Sequence, residues 1–258
     1  MNGEVAYYNI GNAEIIHMRN WTEAYPTHNH VSVCVIGIIL GGEVSMTLGG
    51  GEIKLSPNGS FTIPPYKPHS LRPLAASDIL SICLRKDAAT ASHSTPATAA
   101  DVITKILLEA GTICADHRET LLRAADGMVW AQTEKPRGDA DFVSQIRELF
   151  EQSPEADVKI RQAAKSAAVC QDHLIRKFKQ EIGLTPRKFQ IQNRIRMAQR
   201  LMEKNFSVSE VAQIAGFYDQ SHFIKYFKYF VRMPPRDYVR AFKGAPPDKP
   251  VSTAAGKI

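Results

Sequence analysis

No apolar run in the 258-residue chain approaches the roughly 20 residues that a helix needs to cross a bilayer. Cysteine is sparse as well: Cys34, Cys83, Cys114 and Cys170 are scattered, with no CxxC pair. That spacing excludes a zinc ribbon or a thioredoxin-like motif and fits reduced thiols. The opening MNGEVAYYNIGNAEII lacks the basic start and apolar stretch of a secretory signal. No membrane partner and a cytoplasmic location are therefore expected. What is present is ordinary in amount, 44% hydrophobic and 22% charged residues, as in globular domains. The length leaves room for two of them.

Charge is distributed unevenly. Residues 1–140 hold 11 Lys and Arg against 14 Asp and Glu, a net of −3, whereas residues 141–258 hold 21 against 12, a net of +9. A neutral or acidic domain joined to a polyanion-binding one leaves this footprint. Residues 1–85 read as β: VSVCVIGIIL (31–40) is short, apolar and β-branched, GG precedes EVSMTL, and GGG precedes EIKL. Strands so closely spaced predict a sandwich or small barrel. KDAATASHSTPATAA (86–100) reads as a linker. Helices are expected near 101–111 and 116–132, the second with an apolar stripe of Leu121, Leu122, Ala125, Met128 and Val129. Residues 141–243 read as helical throughout, and 244–258 as a frayed tail.

The helical half repeats itself. Leu174, Phe178, Pro186 and Phe189 recur 49 residues later as Phe223, Phe227, Pro235 and Tyr238. Ile160, Ala164, Ala167 and Val169 recur 48 later as Val208, Ala212, Ala215 and Phe217. The one-residue difference falls where a turn absorbs it. In the second copy Ser207 and Glu210 suit a capping box, Gly216 ends the helix at positive φ, and Asp219 caps the next one. A helix, a turn containing glycine and a second helix make a helix-turn-helix. Two such units are expected, at about 158–181 and 207–230, joined by a helix at about 186–204 that starts on Pro186. Phe189, Ile195, Met197, Ala198 and Leu201 are its candidate packing residues.

At 100° per residue, Phe223, Phe227 and Phe230 share one face of the last reading helix. Ser221, Lys225 and Lys228 point the other way, flanked by His222 and Ile224, with Gln220 at the start. In the first unit Leu174 and Phe178 lie inward. Asp172, Arg176 and Lys179 point out, with Gln171, His173 and Ile175 beside them. A recognition helix offers such residues to base edges and phosphates in a major groove. A single helix of this kind reads equally as a solvated amphipathic helix; two copies in matching register favour double-stranded DNA as the partner. His173 and His222 stay open between groove contacts and packing.

The motif SVSEVAQIAGFYDQSHFIKYFKYFVRMPPRDYVR, preceded by DHLIRKFKQEIGLTPRKFQIQNRIRMAQRLM, resembles the DNA-binding domain of AraC/XylS transcription regulators over residues 141–243. The resemblance implies base contacts from Asp172, Ile175 and Arg176, and from Gln220, Ser221, His222, Ile224 and Lys225. It also implies RNA polymerase as a partner if the protein activates. Ala168 departs from the family's frequent Gly, and Cys170 from its capping Ser. Asp172 puts an acid on the DNA-facing side.

HNHVSVCVIGIILGGEVSMTLGGGEIKLSPNGSFTIPPYKPHSLRP resembles a cupin-like sensor barrel over about residues 15–85. By that resemblance His28, His30 and His69 stand at metal-ligand positions. The expected glutamate is missing, and Cys34 and Val35 lie there instead. Three imidazoles and a thiolate suit a divalent transition metal, Ni, Co, Zn, Cu, Mn or Fe. The same histidines suit better the polar lining of an organic effector site, or of a barrel with no effector. Relatives place a dimerisation segment where residues 101–131 lie, which implies a homodimer; packing against their own barrel is the alternative. Cys114 and His117 form at most a distant metal pair, and Cys83 reads as a buried strand residue. The expected fold is two-domain α+β: a cupin-like β-barrel (1–85), a helical segment (86–140) and an all-α domain with two helix-turn-helix units. The expected function is effector-controlled, sequence-specific transcription regulation and not catalysis. The rival readings are a cupin metalloenzyme with an appended basic helical domain, and a purely structural helical scaffold.

Overall fold

A computed structural model describes residues 3–10, 13–31, 33–85, 121 and 141–243. The expected linker, the pair Cys114 and His117, the tail and the helices of 101–132 lie outside the described residues. Leu121 is the exception, helical and buried. The chain divides into a strand-built unit and a helical unit.

The described residues of the strand unit form nine strands: β1 (Glu4–Ile10), β2 (Ala13–Trp21), β3 (Tyr25–His28), β4 (Val33–Gly41), β5 (Val44–Leu48), β6 (Gly51–Leu55), β7 (Ser60–Ile63), β8 (His69–Pro73) and β9 (Ser77–Arg85). They form an antiparallel five-stranded sheet, β1-β2-β9-β4-β7, and an antiparallel four-stranded one, β3-β8-β5-β6. β4 begins at Val33 rather than residue 31 and is the apolar run of the sequence. Between β9 and β7 its residues Cys34 to Ile39 are buried, with Ile36, Ile38 and Ile39 fully enclosed. Gly37 belongs there because a Cβ would run into the Phe61 ring on β7. β6, at the edge of the smaller sheet, is exposed along most of its length.

The described residues of the helical unit form seven helices: α1 (Asp141–Gln152), α2 (Ile160–Ser166), α3 (Gln171–Ile182), α4 (Pro186–Glu203), α5 (Val208–Ile214), α6 (Gln220–Val231) and α7 (Pro235–Phe242). Its core holds two clusters of rings. Phe178 lies 6.4 Å from Phe150 and 5.7 Å from Phe189, and Phe227 lies 5.5 Å from both Phe223 and Tyr238, centroid to centroid. All six are fully buried, and each enclosed Phe side chain contributes about 1.5–3 kcal/mol through desolvation.

α4 departs from its sequence reading. Phe189, Ile195 and Ala198 are buried as expected, but Met197 and Leu201 are only half-buried, while Ile191 and Met202 are enclosed. Gln190, Gln192, Asn193 and Arg194 are buried too. A helix with neighbours on more than one side buries polar positions as well, so one apolar stripe does not describe it.

Candidate functional site

The two helix-turn-helix units share one backbone plan. α2 and α5 are each 7 residues long, and α3 and α6 are each 12. In the first turn Val169 N–H donates to Ala164 C=O at 3.0 Å, and in the second Phe217 N–H donates to Ala212 C=O at 2.9 Å. Each turn passes through a left-handed residue, Ala168 at φ 56° and Gly216 at φ 75°. The inserted residue is Tyr218, 93% exposed.

The second unit is the better fastened. Glu210 N–H donates to Ser207 Oγ and Ser207 N–H to Glu210 Oε2 at 2.9 Å, a complete capping box. The Ser207 bond holds the Glu210 carboxyl below its usual range. Asp219 caps α6 by accepting from His222 N–H at 2.7 Å. A Cβ at Gly216 would lie 2.6 Å from Glu155 O, so glycine there answers both φ and close approach. In the first unit Cys170 makes no side-chain cap bond to α3, and Ala168 takes a conformation that costs an L-residue roughly 1–2 kcal/mol.

The faces divide as their spacing predicts. Phe223 and Phe227, and Leu174 and Phe178, are fully buried; Phe230 is nearly so. Gln220, Ser221, Lys225 and Lys228 are exposed on α6, as are Gln171, Asp172, Arg176 and Lys179 on α3. Ile175, Ile224, His173 and His222 are half-buried. Arg176 Nη2 donates to His173 Nδ1 at 3.4 Å. His222 both packs and faces outward. Its ring lies 5.8 Å from Phe217 and 4.9 Å from Tyr226, and its Nδ1 is buried with no hydrogen-bond partner among the described residues. Burial, then Arg187, hold its pKa below the ordinary histidine value.

Arg194 is the residue that sequence reading missed. Its Nε donates to Pro154 O at 2.7 Å, and its Nη2 to Glu155 O and Ala156 O at 3.1 Å each. Its Nη1 donates to Gly216 O. Gln190 Nε2 adds a bond to Ala156 O at 2.8 Å. One buried guanidinium thus ties the α1–α2 connection to the turn of the second unit. The available signal was weak, a cation inside an otherwise packed helix.

In the strand unit His28 and His69 face each other across the β3–β8 ladder. With His30 they form a group whose ring nitrogens lie within 4.8 Å of one another. Ring centroids are 4.1 Å apart for His28–His69, 5.0 Å for His28–His30 and 5.1 Å for His30–His69. His28 Nδ1 donates to Pro26 O and His69 Nδ1 to Lys67 O, each at 2.9 Å. A carbonyl only accepts, so Nδ1 is the donor in both rings, and in the neutral ring Nε2 is then the unprotonated nitrogen. Metal-binding histidines are held by this kind of backbone bond. Cys34, expected beside them, is not part of the group. It pairs with Leu84 within the five-stranded sheet, and burial pushes its thiol pKa up to about 12.

A family model described as an AraC-like ligand binding domain matches residues 11–171, and one described as a helix-turn-helix domain matches 163–241. The transcriptional regulatory protein HptR of Staphylococcus aureus is 27% identical over 105 residues, 41% of this chain and 42% of HptR. An uncharacterized HTH-type transcriptional regulator of Haemophilus influenzae is 33% identical over 88 residues, 34% of this chain and 30% of that protein. These matches span less than half of either relative. ToxT from Vibrio cholerae, in a crystal structure with an unsaturated fatty acid bound, is similar in fold at a TM-score of 0.51 and 12% identity, over 95% of this chain and 99% of that one. With a ligand-binding model covering more than half its length and a helix-turn-helix model after it, the chain belongs to the AraC family of transcriptional regulators.

Proposed function

We propose that the protein regulates transcription by reading double-stranded DNA with α3 and α6, under control of an effector held in the strand unit. The observation that carries this reading is the paired set of exposed polar faces on two helices whose opposite faces are each buried against aromatic rings. α4, at 18 residues, is about 27 Å long, a length suited to serving two grooves one DNA turn apart. Base contacts fall to Gln171, Asp172, Ile175 and Arg176, and to Gln220, Ser221, His222, Ile224 and Lys225; Lys179 and Lys228 serve phosphates. A homodimer, and RNA polymerase if the protein activates, complete the set of partners.

The decisive experiment selects duplexes from a random-sequence pool with the full chain, then measures affinity for the winning sequence. Arg176→Ala or Lys225→Ala lowers that affinity by about 1–3 kcal/mol each, from a lost base contact. Unchanged affinity in both variants would remove this assignment.

For the effector, His28, His30 and His69 offer three convergent imidazoles. Of Ni, Co, Zn, Cu, Mn and Fe, this all-nitrogen set suits Zn, Cu, Fe and Ni best. A bound ion would supply a fixed positive charge in the strand unit. The second reading is an organic acid effector, favoured by the fatty acid bound to ToxT. Metal analysis of protein purified without chelators separates the two: a site that stays empty and ignores all six ions leaves the organic reading.

A further inference from the structure

The two helix-turn-helix units share a backbone plan, so each serves as the other's control. Where α2 carries Arg161 and Lys165, α5 carries Ser209 and Gln213, 48 residues on. Where α2 has Gln162, α5 has Glu210, whose carboxylate is committed to its capping box. Thus α2 has two cations and no acid, and α5 has one acid and no cation.

Arg161 and Lys165 stand four residues apart, on one side of α2, and both are exposed. With Gln162, Ala164, Val169 and Gln171 they line an open cleft of about 600 Å³ where α2 meets the start of α3. Among the described residues, no carboxylate lines that cleft. In a helix-turn-helix the first helix crosses the DNA backbone while the second enters the groove. A cationic cleft on the first helix is therefore placed for phosphate rather than for base edges. The reading helices differ in the opposite sense. α6 starts behind an Asp219 cap and exposes Gln220 and Ser221, whereas α3 starts without a side-chain cap and exposes Asp172.

We propose that Arg161 and Lys165 form a phosphate-binding cleft through which the first unit grips the DNA backbone, with base discrimination falling mainly on the second unit. The proposal rests on the reading that the chain binds duplex DNA. Phosphate contacts hold position and carry no sequence information directly, so base changes facing the first unit cost less affinity than those facing the second.

The test uses the full chain, a random-sequence duplex, and a duplex selected by the wild-type chain from a random pool. For Arg161→Gln/Lys165→Gln, affinity falls on both duplexes by a similar factor, leaving their ratio unchanged. Two lost contacts lower the slope of log affinity against log salt by about 1.8. The variant is then about 12-fold less sensitive than wild type to a fourfold rise in salt. The matched control Ser209→Ala/Gln213→Ala keeps the wild-type slope. An unchanged slope in the Arg161/Lys165 variant overturns the proposal, and so does loss confined to the selected duplex. Failure of the wild-type chain to bind any duplex rejects the DNA-binding reading itself, a separate result.

Discussion

Arg194 is buried and donates to carbonyls of Pro154, Glu155, Ala156 and Gly216. A shorter neutral side chain removes the donor to Glu155 O and Gly216 O, each loss costing roughly 1–3 kcal/mol, while Gln190 still donates to Pro154 O and Ala156 O. Arg194→Gln is therefore expected to destabilise the helical unit by about 3 kcal/mol or more, measured by urea unfolding followed by circular dichroism at 222 nm. Arg194→Lys recovers only part of that loss, because an ammonium cannot fork among four carbonyls.

His222 gives a pH dependence with a definite sign. Its folded pKa is depressed by burial and then by Arg187. As pH falls beneath the ordinary value of about 6.5, the unfolded chain takes the proton first. His222 thus costs nothing above that pH and destabilises the fold progressively below it. NMR titration should place its midpoint below 6.5, and His222→Gln should flatten the stability profile below about pH 6.5. A midpoint above 6.5 would show a ring less enclosed than the Phe217–Tyr226 sandwich implies.

At the scale of elements, the two units differ in how well their ends are finished. Ser207→Ala removes the capping box of α5 and is expected to cost about 1 kcal/mol. Cys170→Ser supplies the cap that α3 lacks and should gain roughly 0.5–1 kcal/mol. Ala168→Gly relieves the left-handed Ala168, with a gain of up to about 1 kcal/mol. Gly216→Ala goes the other way, because its Cβ meets Glu155 O as well as the positive φ. Thermal unfolding of the four variants checks this set, and equal effects of Ala168→Gly and Gly216→Ala would contradict it. These differences were largely readable beforehand. Ser207, Glu210, Gly216, Asp219 and Pro186 carry local signals, since capping and turn chemistry act within three or four residues. α4 was the exception. Its inner positions depend on which helices lie around it, so Met197 and Leu201 were overvalued and Ile191, Met202 and Arg194 passed over.

At the scale of the whole molecule, a ligand of the strand unit matters only if it binds one state better than another. An ion at 100 times its dissociation constant stabilises its folded site by about 2.7 kcal/mol. The thermal midpoint of the full chain should then rise with whichever of Zn, Cu, Fe or Ni binds. His28→Ala/His69→Ala should abolish that rise, while Cys34→Ser should keep it. If such an ion is the effector, it changes DNA affinity by the same factor by which DNA changes ion affinity. Paired titrations measure both factors, and factors of one would show that the two events are not linked at equilibrium.

The sequence alone determined what depends on short range and on repetition: the run of strands, the helical half, two matching units 48 to 49 residues apart, and the buried and exposed faces of α3 and α6. Helical and strand periods assign faces without knowledge of the neighbours. Tertiary structure decided what depends on partners distant along the chain. It brought His28 and His69 together across 41 positions of sequence and left Cys34 out of their group. It turned Arg194 inward to bind carbonyls 22 to 40 residues away. It also made a cleft of Arg161 and Lys165 by setting α2 against the start of α3. A side chain's chemistry is written in its own residue, but its burial, charge state and company depend on what the fold places against it.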